Sequence, residues 1–205
     1  MVCRPKSIRY HVRRTLQCVT VSETRVGQTR YTEFRTLPSI VFEAHSTDYQ
    51  GTGPISELVE GVFAILKVGP ELTFVLREAL YALHLIATDL VPGYGDRPLQ
   101  KQMELVMLAD ARHWEHHYSG DDATRRMLRH YSLSDRIRYY WTYPGAQDAV
   151  QRLFSARDGV TVPLPLMWQY LPGAQSFADH PLTPEDAMIW RVTQGIQSYH
   201  AGCRA

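Results

Sequence analysis

Two short apolar runs most constrain what this chain can fold into, because each is continuous rather than alternating. Ser39–Ala44 follows Pro38 and reads as a buried strand, and "VFAILKVGP" (Val62–Pro70) reads as a second. Continuous apolar strands belong in parallel sheets covered on both faces. Between them, "TDYQGTGP" is a loop broken by Gly51, Gly53 and Pro54, and Pro54–Gly61 is a short helix with Pro near its start and Gly just past its end. Pro70 then opens a strong helix, in which Leu72, Val75, Leu76, Ala79, Leu80, Leu83 and Ile86 share one face. Two strands do not make a sheet. A parallel pair is marginal alone and leaves both edges unpaired, which points to part of a larger assembly of strands.

Beyond the break at "VPGYGDRP" almost everything reads as helix. The segments are Leu99–Leu108, Asp122–Tyr131, Ser134–Trp141 with Ser134 as N-cap, Ala146–Ala156, and Thr183–His200. In the last, Thr183 is the N-cap, Pro184 takes the first helical position, and Met188, Ile189, Val192, Ile196 and Tyr199 share a face. Trp114, Tyr140, Trp141, Leu164, Leu166 and Ile189 are the expected core of this part. The order is that of an α/β fold followed by a helical extension.

Net charge is +1 over 205 residues, so nothing global points to nucleic acid or membrane. The distribution is uneven. Met1–Thr36 carries eight Lys and Arg against two Asp and Glu, the remainder fourteen against nineteen. Three readings fit this basic segment: an arm for an anionic partner, a transit-like leader, or sequence foreign to the fold, which is the reading adopted, with Val19, Thr20 and Val21 allowing one short strand. Cys3, Cys18 and Cys203 are odd in number and form no pattern, which suits a reducing cytoplasm better than a disulfide framework. No apolar run approaches the roughly 20 residues that span a bilayer.

The chemistry-bearing residues gather at the ends of the two strands. In "VFEAHSTDYQ", Glu43 and His45 alternate and so face the same side, with Asp48 close behind. At the carboxyl end of a barrel strand such a pair builds an active site and could move a proton or bind a metal. A solvated strand terminus with a hydrogen-bonded Ser-Thr-Asp turn explains the same residues. Lys67 and Gly69, before the helix at Pro70, form the equivalent group on the second strand and would suit a phosphate, although a plain strand-to-helix turn has the same pattern. The cluster "HWEHHY" (His113–Tyr118) lacks metalloprotease spacing and reads as a surface patch around a packed Trp114. "YSLSDRIRYYW" reads as packed aromatics with paired arginines rather than a base-stacking surface. No GxxxxGK[ST] loop is present, which excludes a P-loop kinase.

"FEAHSTDYQ" (Phe42–Gln50), "FAILKVGP" with "LTF" and "LREAL" (Phe63–Leu80), "YSLSDRIRYYW", "PLPL" with "QYLP" (Pro163–Pro172) and the terminal "YHAGC" (Tyr199–Cys203) occur in this order. Together they resemble the Z-type subunit of class II D-tagatose-1,6-bisphosphate aldolase, the GatZ/KbaZ-like family of bacterial galactitol and N-acetylgalactosamine catabolism. The resemblance runs from about Pro38 to Cys203. It departs at Met167 and Trp168, where the family has a small polar residue before Gln169, and at Gly202, which replaces a common Ala.

The resemblance implies a (β/α)8 barrel of roughly twice this length with a helical elaboration, of which this chain holds the last two strands and all that follows. The implied organisation is a basic, disordered segment over 1–36, a barrel remnant over 37–98 and a helical extension over 99–205. It further implies a non-catalytic role, with no cofactor or metal of its own, in supporting a separate catalytic subunit whose zinc does the chemistry; an older assignment of the family as a tagatose-6-phosphate kinase finds no support in the residues. On this view Glu43, His45, Asp48, Lys67 and Gly69 form a rim that could meet a sugar phosphate, and the two strands would be poorly ordered or prone to associate. The rival expectation is a sugar-phosphate lyase or isomerase with its own site at Glu43, His45 and Lys67.

Overall fold

The computed structural model describes residues 9–14, 17–21, 40–60, 63–181 and 183–204. They form a mixed α/β structure that is mostly helical, divided into two compact units: 1–71 with 194–205, and 72–193.

The first unit contains the sheet. β1 (Arg9–Arg14), β2 (Gln17–Val21), β3 (Ile40–His45) and β4 (Phe63–Leu66) lie in the order β2-β1-β3-β4. β3 and β4 are parallel, as their continuous apolar sequences require, and α1 (Thr52–Glu60) makes the crossover between them. Ala44, Ile55, Leu58 and Phe63 are buried in this unit. β4 is shorter than its apolar run and is not covered on both faces: Ile65 is 37% exposed. Among the described residues no strand pairs with its far edge.

The segment expected to be foreign to the fold contributes two strands rather than one at most. Val19, Thr20 and Val21 fall in β2, which pairs antiparallel with β1, and β1 in turn runs antiparallel along β3 from Arg9↔His45 to Arg14↔Ile40. An open backbone edge accepts any extended segment that reaches it, whatever its side-chain pattern, so apolar periodicity does not reveal such a partner.

The second unit is helical, built from α2 (Pro70–Leu90), α3 (Pro98–Ala109), α4 (Asp122–Tyr131), α5 (Pro144–Arg157), α6 (Leu164–Tyr170) and most of α7 (Pro184–Gly202). Prolines stand at the starts of α3 and α5, where a missing N–H costs nothing. The Asp121 carboxylate accepts from the Thr124 N–H at 2.9 Å, and the Thr183 hydroxyl accepts from the Asp186 N–H at 3.1 Å, so Thr183 is the cap its sequence predicts. Leu83, Ile86, Leu99, Met103, Met107, Ile137, Tyr140, Leu153 and Met167 form the core. Trp114 joins them, its indole N–H donating to the Met107 carbonyl at 2.7 Å, while His116 and His117 stay exposed beside it.

Three expectations fail here for local reasons. Ser134 caps no helix: the element is a 3-10 helix over Arg136–Tyr140, entered through Asp135 in the left-handed region at φ 46°. Ile189 is 65% exposed, because the buried side of α7 carries Ala187, and a residue two further on lies about 200° around the helix. Leu164, at the first turn of an unanticipated helix, is 41% exposed. No helix among the described residues is long and apolar enough to cross a membrane.

Candidate functional site

Strand alternation puts Glu43 and His45 on one side of β3, as predicted, and parallel pairing carries Lys67 to the same place from the end of β4. The Lys67 N–H donates to the Ala44 carbonyl at 2.8 Å, so the ladder continues one residue past the strand. One oxygen of Glu43, Oε1, then takes both the His45 Nε2 and the Lys67 Nζ. The Glu43 side chain is buried at 2% exposure, while the His45 and Lys67 side chains are 26% and 45% exposed. The result is an acid sealed beneath two nitrogen groups that reach solvent.

Asp48 and Gly69 also come together, but not as a vacant anion seat. The Asp48 Oδ1 accepts from the Gly69 N–H and from the Glu71 N–H, each at 2.9 Å. The amino end of α2 is therefore already supplied with a negative charge from a residue more than twenty positions upstream, the service an N-cap aspartate gives locally. The phosphate expected at Gly69 would have to displace that carboxylate.

The arrangement is reciprocal. The Glu71 Oε2 accepts from the Tyr49 N–H at 2.6 Å, so a loop side chain caps the helix while a helix side chain holds the loop, in the manner of a capping box assembled across sequence. Thr47, fully buried, donates its hydroxyl to the Lys67 carbonyl at 3.0 Å. The phenol of Tyr199, near the end of α7, donates to the same Glu71 oxygen and lies 3.3 Å from the Thr47 carbonyl. Burial first, and then the Glu71 carboxylate, hold that phenol well above its ordinary range, so it stays protonated and remains a donor.

These fastenings hold an unfavourable backbone. Ser46 and Tyr49 both sit at φ 60° without being glycine, a cost on the order of 1–2 kcal/mol each. Such conformations persist only where surrounding contacts over-determine them, and they concentrate at functional sites. Sequence reasoning found Glu43, His45, Asp48, Lys67 and Gly69; it missed Thr47, Glu71 and Tyr199 as members of the cluster. Tyr199 stood within a recognised motif, yet nothing in its spacing links it to a loop some 150 positions away.

Among the described residues no group of three or more His, Cys, Asp or Glu side chains is placed to hold a metal ion. What Glu43, His45 and Lys67 can do is accept a proton into the buried carboxylate and offer two donors to a developing or resident anion.

A family described as D-tagatose-1,6-bisphosphate aldolase subunit GatZ/KbaZ-like matches residues 17–204, a span that takes in part of the basic segment. The chain is 52% identical over 164 residues to a D-tagatose 6-phosphate 4-epimerase of Agrobacterium fabrum, covering 80% of this chain and 39% of that protein. A crystal structure titled as a probable tagatose 6 phosphate kinase from Sinorhizobium meliloti superposes with a TM-score of 0.79 at 43% identity, over 86% of this chain and 46% of the other. The chain thus spans less than half the length of either relative. An enzyme's name on a relative at 52% identity overturns the expectation of a non-catalytic role.

Proposed function

The chain belongs to the GatZ/KbaZ-like family, and from that premise we propose that Glu43, His45 and Lys67 are the acid–base and anion-stabilising groups of a sugar-phosphate 4-epimerase site. The observation that carries this reading is the buried Glu43 carboxylate bridging His45 and Lys67 at the carboxyl ends of two parallel strands, the edge at which α/β sheets bind substrates.

The aldolase and epimerase names among the matches share one bond. In a ketose phosphate with its carbonyl at C2, the C4 hydrogen is not adjacent to the ketone and is not acidic. Inversion at C4 by proton chemistry therefore runs through the C3–C4 bond, the same bond that an aldolase of such a ketose breaks. Glu43 takes the proton from the C4 hydroxyl; the C3–C4 bond breaks, leaving an aldehyde at C4 and sending its electron pair through C3 to the C2 oxygen. Lys67 and His45 donate to that enediolate oxygen. Once the aldehyde presents its other face, C3 attacks it again and Glu43 returns the proton to the C4 oxygen. No net oxidation occurs.

The parallel β3–α1–β4 unit supports assignment to a (β/α)8 barrel, with the antiparallel β1 occupying an edge where a barrel would place a parallel strand. The word subunit in the family description supports association with a further subunit of a tagatose-bisphosphate aldolase.

The test is turnover. The purified chain incubated with D-tagatose 6-phosphate should form its C4 epimer, D-fructose 6-phosphate, detected by 13C NMR. Absence of the epimer at every chain concentration overturns the proposal.

A further inference from the structure

The last turn of α7 is joined to the proposed site at two points. Tyr199 reaches the Thr47 carbonyl and the Glu71 carboxylate, and three residues on, Gly202 lies against the first turn of α1. A Cβ at Gly202 would stand 2.5 Å from Ile55 Cγ2 and 3.1 Å from the Thr52 carbonyl, so the two backbones meet with no space for a side chain. Residues three apart share a helical face. One face of the helix end is thus committed to the β3–β4 connection.

The loop it meets begins at Ser46, immediately after His45, and two of its residues hold left-handed backbone conformations. Asp48 ties it to α2, and Glu71 receives the Tyr49 N–H. Glu71 is in turn oriented by the Tyr199 hydroxyl, so that hydroxyl completes the set.

We infer that Tyr199 is a positioning residue: its hydroxyl clasps the Ser46–Gln50 loop through Glu71 and Thr47, and thereby sets His45 and Glu43 for the reaction. The inference rests on the proposed site but makes a separate physical claim. Loss of the hydroxyl opens the loop without emptying the ring's packing volume, and the helix end therefore belongs to the site even though it touches no substrate.

The experiment compares wild type with Tyr199→Phe, using Ser198→Ala as a neighbouring control, by amide hydrogen exchange and by steady-state kinetics on D-tagatose 6-phosphate. Exchange at Thr47, Asp48 and Tyr49 should accelerate about tenfold in Tyr199→Phe, the scale of one hydrogen bond to a charged acceptor. The kcat should fall while KM stays within about twofold, the pattern of an interaction realised at the reacting centre. Tyr199→Phe introduced into a Glu71→Met chain should produce little further change, because the acceptor that the hydroxyl serves is already gone. Unchanged loop exchange in Tyr199→Phe overturns the clasp, and faster exchange with unchanged kcat overturns the positioning role. A wild-type chain that turns over nothing removes the proposed function, and with it the positioning role, while exchange still decides the clasp. Should Tyr199→Phe fail to fold, Glu71→Met alone, which removes the acceptor, is read in the same way.

Discussion

Replacing Asp135 by Ala tests whether the helical unit is organised around a buried charge pair. The Asp135 side chain is fully buried and Arg77 nearly so, joined by one Nε–Oδ1 contact at 3.1 Å. The guanidinium also lies 4.0 Å from the centre of the Phe74 ring. Removing one partner of such a pair strands a desolvated charge, at a cost of about 3–5 kcal/mol. Neither Arg77 Nη2 nor Asp135 Oδ2 has a hydrogen-bond partner among the described residues, so the pair is joined less fully than a bidentate one, and the lower end applies. Alanine adds ~1 kcal/mol because residue 135 sits at φ 46°, which aspartate tolerates better. The sum is about 4 kcal/mol. Asp135→Asn, which keeps the turn and an acceptor oxygen, should cost roughly half as much. Arg77→Met with Asp135→Asn should recover part of the loss, since no charge is left buried. Urea unfolding followed by far-UV circular dichroism measures all three. An Asp135→Ala chain within ~1 kcal/mol of wild type would show that the pair behaves as a surface contact and refute the reasoning.

Gly202→Ala should lower stability by about 1–3 kcal/mol through overpacking against Ile55, more than the helix gains from alanine; a raised thermal midpoint would contradict it. Burial pushes the His84 and His130 imidazoles down from 6.5 to about 4, aided at His84 by Arg97 and opposed at His130 by Glu104. Their folded values lie below their unfolded ones, so the native state binds fewer protons. The stability linked to them is present above pH 6.5, declines as pH falls below it and is gone below about 4. The full loss is on the order of 3 kcal/mol for each histidine. A chain equally stable at pH 7 and pH 4.5 would exclude both assignments.

Much of this architecture was readable in the residues. Continuous apolar runs marked β3 and β4 as parallel partners, and the three-and-four spacing from Leu72 to Ile86 marked α2. Strand alternation put Glu43 with His45. Contacts that join distant backbone groups were not readable. Asp48 caps α2 through two N–H groups that any residue other than proline would present, so no sequence pattern marks the pairing. The β1 register along β3 likewise follows from no pattern in the residues. In α7, the spacing put Met188, Ile189, Val192, Ile196 and Tyr199 on one face, and the small Ala187 marks the side that is buried instead, a choice that size and hydrophobicity do not reveal.

Turnover of D-tagatose 6-phosphate by Glu43→Gln, set against wild type and Glu43→Asp, addresses the Glu43–His45–Lys67 cluster most directly. Glutamine keeps the shape and an acceptor but cannot take a proton, so epimer formation should fall by about 10²–10⁴-fold. Aspartate keeps the proton chemistry at a shorter reach and should retain measurable activity. A Glu43→Gln chain that forms D-fructose 6-phosphate at the wild-type rate would contradict the assignment.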